Sequence, residues 1–168
     1  MTQLKIEDIW PLSPLQEGLL FHAGYTEGEP DVYVLQGAME LRGTLDVPVL
    51  RSSWQALLDR HSSLRAAFQR RGTGDPVQLI VSGVTLPWRE EDLSGLPEAD
   101  QEAEATRLAN AEKDGFNPEL APLLRLLLVR LGRDRFRLVV TMHHLVMDGW
   151  SLPVLFGELS EVYAAGGD

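Results

Sequence analysis

The chain has 168 residues, 44% of them apolar and 24% charged, ordinary globular values that exclude disordered and fibrous classes. Fifteen Lys and Arg against 25 Asp and Glu give a net charge of −10, which argues against a nucleic-acid backbone or an anionic membrane as partner. The absence of cysteine excludes disulfide scaffolds, Cys-ligated zinc and thiol nucleophiles, and suits the reducing cytoplasm, the expected location.

The opening MTQLKIEDIW lacks the pattern of a signal peptide, and no apolar run approaches the length of a membrane span. In LSPLQEGLLFH, Ser13 can cap a helix, Pro14 suits its first position and Gln16 completes a capping box, predicting a helix from about Pro14 to Gly24. Gly28, Pro30 and Asp31 break the chain before a predicted strand from Val32 to Leu41. Asp46 caps the next helix, with Pro48 in its first turn. Val49, Leu50, Trp54, Leu57 and Leu58 follow at helical spacing, and the helix ends near Arg60. Leu64 to Arg70 and Val77 to Val81 read as strands joined by the turn RGTGDP, with a short extended piece from Leu86 to Glu90. The Ala- and Glu-rich stretch from Pro97 to Asp114 predicts a largely solvated helix that stops at Gly115. Strands from Pro122 to Leu131 and Arg135 to Met142 flank the turn GRDR, and a last helix runs from about Ser151 to Ala164. Helices inserted among hairpins indicate an α+β fold, one mixed sheet with helices packed on it.

Of the four histidines, His22 reads as a packing or surface residue. His143 and His144 stand where a buried strand gives way to a turn, a frequent setting for function. Phe136, Leu138, Val140 and Met142 share the apolar face of that strand. Continued alternation places His144 with them, aimed inward, and His143 with Arg135, Arg137 and Thr141. A neutral imidazole at His144 could take a proton from an amine or hold it by a hydrogen bond. Asp148 could orient a histidine or fix the loop by pairing with an arginine. Gly149 would permit a tight turn or close approach of a ligand. Ser151 reads as the cap of the last helix, since no nucleophile-elbow pattern surrounds it. Adjacent histidines on a strand face opposite ways, so no metal site is expected from His143, His144 and Asp148.

The segment HHLVMDGWS carries the pattern HHxxxDG. It resembles the core motif of the condensation domains of nonribosomal peptide synthetases, and the shorter HxxxDG form occurs across the chloramphenicol acetyltransferase-like superfamily. LSPLQEGLLFH (Leu12 to His22) resembles the first condensation-domain motif and RHSSLRAAF (Arg60 to Phe68) the second, and FNPELAPLLR (Phe116 to Arg125) is similar to the segment that precedes the core motif. The resemblance spans almost the whole chain. It implies a chloramphenicol acetyltransferase-like lobe with a mixed, mostly antiparallel sheet. It also implies acyl transfer that forms a peptide bond between thioesters carried by donor and acceptor peptidyl carrier proteins. Phosphopantetheine would arrive on those carriers, with no cofactor bound by the chain itself. Residues 1–168 would then be an N-terminal lobe, natural or cut from a longer protein, without the C-terminal lobe and its latch and floor loop. Expected partners are the two carriers and that second lobe, not nucleic acid or membrane.

For individual residues, the resemblance makes His144 the histidine that faces the substrate tunnel. It would act as general base, or as the group that positions the amine and stabilises the tetrahedral intermediate. His143 would be structural, and Asp148 would pair with an arginine of the second motif, Arg65 first and Arg60 second, in a buried salt bridge. Gly149 would leave room near the thioester, and Trp150 would anchor the turn by packing. SPLQEGLLFH and HHLVMDGWSLPVL look more like condensation domains that accept a D-configured donor than like the L-donor class. An epimerisation domain ranks second. Among functions of a different class, a non-catalytic carrier-docking lobe is the second reading, and a CoA-dependent acyltransferase of the same fold the third. Cyclisation relatives, with an aspartate where His143 stands, are disfavoured.

Overall fold

The computed structural model describes residues 5–23, 32–70 and 74–167. In order, the chain forms β1 (Lys5–Pro11), α1 (Pro14–Ala23), β2 (Val34–Arg42), α2 (Val47–Arg60) and a 3-10 turn (Ser62–Arg65). Then come β3 (Ala66–Arg70), β4 (Pro76–Ser82), β5 (Trp88–Asp92), α3 (Glu98–Ala111), β6 (Leu124–Arg130), β7 (Arg135–His143) and α4 (Ser151–Ala164). The end of the first helix at Gly24, the break at Gly28, Pro30 and Asp31, and positions 71–73 of the RGTGDP turn lie outside the described residues. No helix among the described residues is long and apolar enough to cross a membrane.

Local chemistry explains the helix starts. At α1 the backbone N–H of Ser13 donates to Gln16 Oε1 at 2.9 Å and that of Gln16 to Ser13 Oγ at 3.2 Å, a complete capping box. At α2, Asp46 Oδ1 accepts the N–H of Val49 at 3.0 Å, with Pro48 in the first turn.

The α+β class holds, but the strands divide into two sheets rather than one. β1, β4 and β3 form an antiparallel three-stranded sheet, and β2, β7, β6 and β5 a four-stranded one in which β5 and β6 run parallel. That parallel pair is joined through α3, the crossover that parallel neighbours require. The sequence did not announce β1. All seven of its residues are exposed, so it is held by backbone pairing to β4 and shows no burial pattern. Leu64 and Arg65, expected to begin a strand, belong instead to the 3-10 turn, closed by the Leu64 N–H on His61 O at 3.1 Å.

Side-chain alternation on β6 and β7 separates two cores. Leu126, Leu128, Leu138, Val140 and Met142 face the main one, with Trp54, Leu57 and Leu58 of α2, Phe68 and Ile80 of the other sheet, and Leu155 and Leu159 of α4. Leu127, Val129 and Val139 face the other side, where α3 buries Ala105 and Leu108 against them. The helix expected to be largely solvated therefore keeps one buried stripe. β7 is one of the two strands paired on both edges, and it delivers the histidine pair.

Candidate active site at the end of the central strand

At its C-terminal end β7 is clamped from both sides. Val34 of β2 lies opposite His143, and Leu124 of β6 opposite Met142. The N–H of His143 donates to Leu123 O at 3.0 Å and that of His144 to Tyr33 O at 2.9 Å. The chain then turns over residues 144–146, with the Val146 N–H on His143 O at 3.2 Å.

The two rings are held in opposite protonation patterns. His143 has no exposed surface, and its Nδ1 lies 3.1 Å from the N–H of Leu145. A backbone N–H can only donate, so Nδ1 is the acceptor and the ring proton of His143 resides on Nε2. His144 is half-buried, and its Nδ1 lies 3.0 Å from Met147 O, which can only accept. Nδ1 is therefore the protonated nitrogen of that contact, and in the neutral ring the lone pair falls on Nε2. The expectation that His144 points to the interior is corrected: the fully buried ring is His143. Alternation holds only while the strand lasts, and β7 ends at His143.

The loop after the histidines also differs from expectation. Asp148 is exposed, and its Oδ1 accepts from the Ser151 hydroxyl at 2.8 Å and the Ser151 N–H at 3.0 Å. These bonds, the hydroxyl first, hold the Asp148 carboxyl below the ordinary aspartate range. Asp148 is thus the side-chain acceptor at the start of α4, and Ser151, expected to be the cap, is its donor. Gly149 is exposed and outside the left-handed region, so no tight turn demands glycine there. A Cβ added to it would meet nothing within 4 Å, which leaves open space beside the turn. Trp150 does not anchor the turn by packing, since 89% of it is exposed.

The salt bridge expected between Asp148 and Arg65 is not formed. Arg65 is buried and turned by the 3-10 segment toward the smaller sheet. Its Nε donates to Leu58 O at 3.1 Å, and its Nη1 to Val81 O at 2.7 Å and to Glu7 Oε2 at 2.6 Å. Glu7 comes from β1, the strand the sequence did not reveal, and it supplies the carboxylate that Asp148 was expected to supply. Arg60, the second choice, pairs with Glu158 of α4 at 3.4 Å, and His61 Nε2 lies 2.7 Å from the same carboxylate. Arg65 is therefore a tie between α2, β4 and β1. Replacing it with Ala strands the carbonyls of Leu58 and Val81, and unfolding in urea is expected to show a loss of about 3 kcal/mol. Lysine, lacking the guanidinium fork, is not expected to restore it.

Two clefts adjoin the motif. One of about 350 Å³ is lined by His61, Leu64, Met147, Asp148 and Trp150, and an apolar one of about 330 Å³ by Leu35, Met39, Val140, Met142, Leu152 and Phe156. A larger cleft of about 530 Å³ lies at the opposite end of β7, beside Arg133 and Asp134, far from the histidines. One residue that the sequence marked only as a helix cap also reaches the site: Gln16 Nε2 donates to Leu145 O at 3.0 Å.

What this arrangement can do chemically is narrow. A half-buried imidazole just past the end of a strand, with Nδ1 bonded to Met147 O, can in its neutral form accept a proton or a hydrogen bond at Nε2 from a nucleophile brought to it. Comparison with known proteins gives the family. The family model described as "Condensation domain" matches residues 6–168. The chain is 36% identical over 159 residues to one of the linear gramicidin synthase proteins of Brevibacillus parabrevis, covering 94% of this chain and 3% of that one. It is 31% identical over 161 residues to one of the plipastatin synthase proteins of Bacillus subtilis (strain 168), covering 95% and 4%. Among solved structures, it is similar to the first condensation domain of the calcium-dependent antibiotic synthetase, in complex with a substrate analogue. That match has a TM-score of 0.83 and 25% identity and covers 95% of this chain and 38% of that one. A holo four-domain nonribosomal peptide synthetase bound to AMP and glycine matches in fold, with a TM-score of 0.82, 18% identity, and 96% and 12% covered.

Proposed function

The chain belongs to the condensation domain family, and on that premise we propose that it is the N-terminal lobe of a domain that forms peptide bonds within a nonribosomal peptide synthetase, in the cytoplasm. The amine of an acceptor aminoacyl thioester attacks the carbonyl carbon of a donor thioester. A C–N bond forms, the C–S bond breaks, and the donor carrier's phosphopantetheine thiolate leaves. The proton lost by the amine passes to His144 Nε2 and from there to the departing sulfur, so charge balances.

The observation that carries this reading is the contact of His144 Nδ1 with Met147 O. A carbonyl can only accept, so Nδ1 carries a proton there, and in the neutral ring the lone pair falls on Nε2, where a proton acceptor requires it. His143, Asp148 and Gly149 support the turn: His143 receives the Leu145 N–H, Asp148 starts α4, and Gly149 leaves space for the thioester. The test loads donor and acceptor carrier proteins with aminoacyl-phosphopantetheine and follows dipeptide formation by the synthetase that contains this segment. Dipeptide dependent on His144 supports the reading, and a synthetase whose condensation is indifferent to His144 overturns it.

The donor is D-configured in this reading. It rests on the likeness of SPLQEGLLFH and HHLVMDGWSLPVL to D-donor condensation domains. With the upstream carrier loaded with either enantiomer, the D-aminoacyl donor is expected to turn over faster. Faster turnover of the L form would show the opposite class.

A further inference from the structure

We propose that Gln16 is a positioning residue for His144, acting through the backbone of the motif turn. The proposal deepens the reading of His144 as proton acceptor and rests on it for its effect on turnover.

Gln16 sits at the start of α1, 129 positions before Leu145, and its side chain serves two ends. Oε1 faces α1 and the smaller sheet, accepting the Ser13 N–H at 2.9 Å and the Gln78 amide at 3.3 Å. Gln78 is itself nine-tenths buried, and its amide also donates to Pro11 O at 2.9 Å. Nε2 faces the other way and donates to Leu145 O at 3.0 Å. The peptide joining Leu145 to Val146 is thereby held at both ends, its carbonyl by Gln16 and its N–H by His143 O at 3.2 Å. The preceding peptide is held too, by the Leu145 N–H on His143 Nδ1 at 3.1 Å. The same short turn brings Met147 O to His144 Nδ1 at 3.0 Å, and that contact sets the tautomer. Leu145 is 2% exposed, so a carbonyl deprived of its donor has little access to water and the peptide must reorient to find a partner. Gln16 therefore links the fold of the first motif to the protonation pattern of the histidine in the core motif.

The two jobs of Gln16 can be separated by one substitution. Glutamate serves a capping box as well as glutamine does, and a negative charge suits a helix N-terminus. Gln16→Glu keeps the acceptor for Ser13 and Gln78 but cannot donate to Leu145 O, and it sets a carboxylate oxygen against that carbonyl. If Gln16 were a helix cap alone, this variant would be as stable and as active as the parent. The proposal predicts otherwise. In this chain labelled with 15N-histidine, the His144 ring is expected to give the nitrogen shifts of a single Nδ1–H tautomer, and the Gln16→Glu chain a mixture with the Nε2–H form. In the synthetase, Gln16→Glu is expected to lower kcat by roughly ten- to a hundredfold, the size of effect expected from about 1 Å of misplacement, with KM for the loaded carriers unchanged. Ser13→Ala, which weakens the cap but leaves the Leu145 contact, is expected to keep both the tautomer and kcat.

The outcomes separate cleanly. Wild-type nitrogen shifts in the Gln16→Glu chain overturn the proposal, whatever happens to kcat. A changed tautomer together with a lowered kcat supports it. A changed tautomer with unaltered kcat upholds the positioning role of Gln16 and overturns instead the reading of His144 as the proton acceptor.

Discussion

Replacing His144 with Ala in the complete synthetase is expected to lower dipeptide formation by roughly 10²–10⁴-fold, the range associated with a single positioned acid–base group. On the proposed reading the loss falls on kcat, because proton transfer at Nε2 belongs to the chemical step rather than to binding of the carriers. The substitution removes a half-exposed ring whose Nδ1 contact to Met147 O lies within one turn, so the fold is expected to persist and the thermal midpoint to move little. His143→Ala provides the contrast. It empties a fully buried site and strands the Leu145 N–H, so it is expected to lower stability as well as activity. Single-turnover assays with preloaded carriers, run beside thermal melts, distinguish the two. A His144→Ala enzyme that condenses at near the parent rate would remove the histidine from the mechanism.

The features readable from sequence are those whose cause lies within a few residues. Ser13 with Gln16, Asp46 with Pro48, and the GRDR turn between two apolar strands each carry their partner nearby, and each appears in the structure as expected. The limits of α4, Ser151 and Ala164, coincide with the expected ones. The motif order located the site at the end of β7 for the same reason: HHLVMDG is contiguous.

What was not readable depends on partners far along the chain. Arg65 has its carboxylate 58 positions away on Glu7, in a strand with no buried residue to betray it. The resemblance to the family assigned the guanidinium to Asp148, which the structure commits to Ser151. The inward reading of His144 failed for a local reason. A period-two rule was carried one residue past the end of the strand, where a turn replaces the pleat. β1 was missed in the smaller sheet as well, where it is the edge strand beside β4. Gln16 is the instructive intermediate. Its capping role is local and legible, whereas its bond to Leu145 spans 129 positions and leaves no trace in the sequence beyond glutamine standing where glutamate would cap equally well.

The 168-residue chain expressed by itself is expected to fold and to form no dipeptide at a rate comparable to the complete domain. Folding is supported by a continuous main core in which Trp54, Leu57, Leu58, Leu124 and Leu138 are almost entirely buried. Catalysis needs more than that core. The chain spans 38% of the solved condensation domain of the calcium-dependent antibiotic synthetase, His144 is half-buried, and Trp150 of the same loop is 89% exposed. Nothing among the described residues encloses two thioesters around Nε2. Orienting two reactants against each other and a catalytic group can supply roughly 7–11 kcal/mol of barrier reduction, far more than one imidazole contributes as a base. A site open to water on one side forgoes most of that contribution and leaves the donor thioester exposed to hydrolysis. Ile6, Ile9, Trp10 and Val154 are also exposed, so light scattering is expected to show self-association as concentration rises. The experiment mixes the purified chain with loaded donor and acceptor carriers and follows dipeptide by mass spectrometry, with the complete domain as reference. Product at the reference rate would mean that orientation is achieved by the carriers and this lobe alone, and that the open face beside His144 is the whole of the active site.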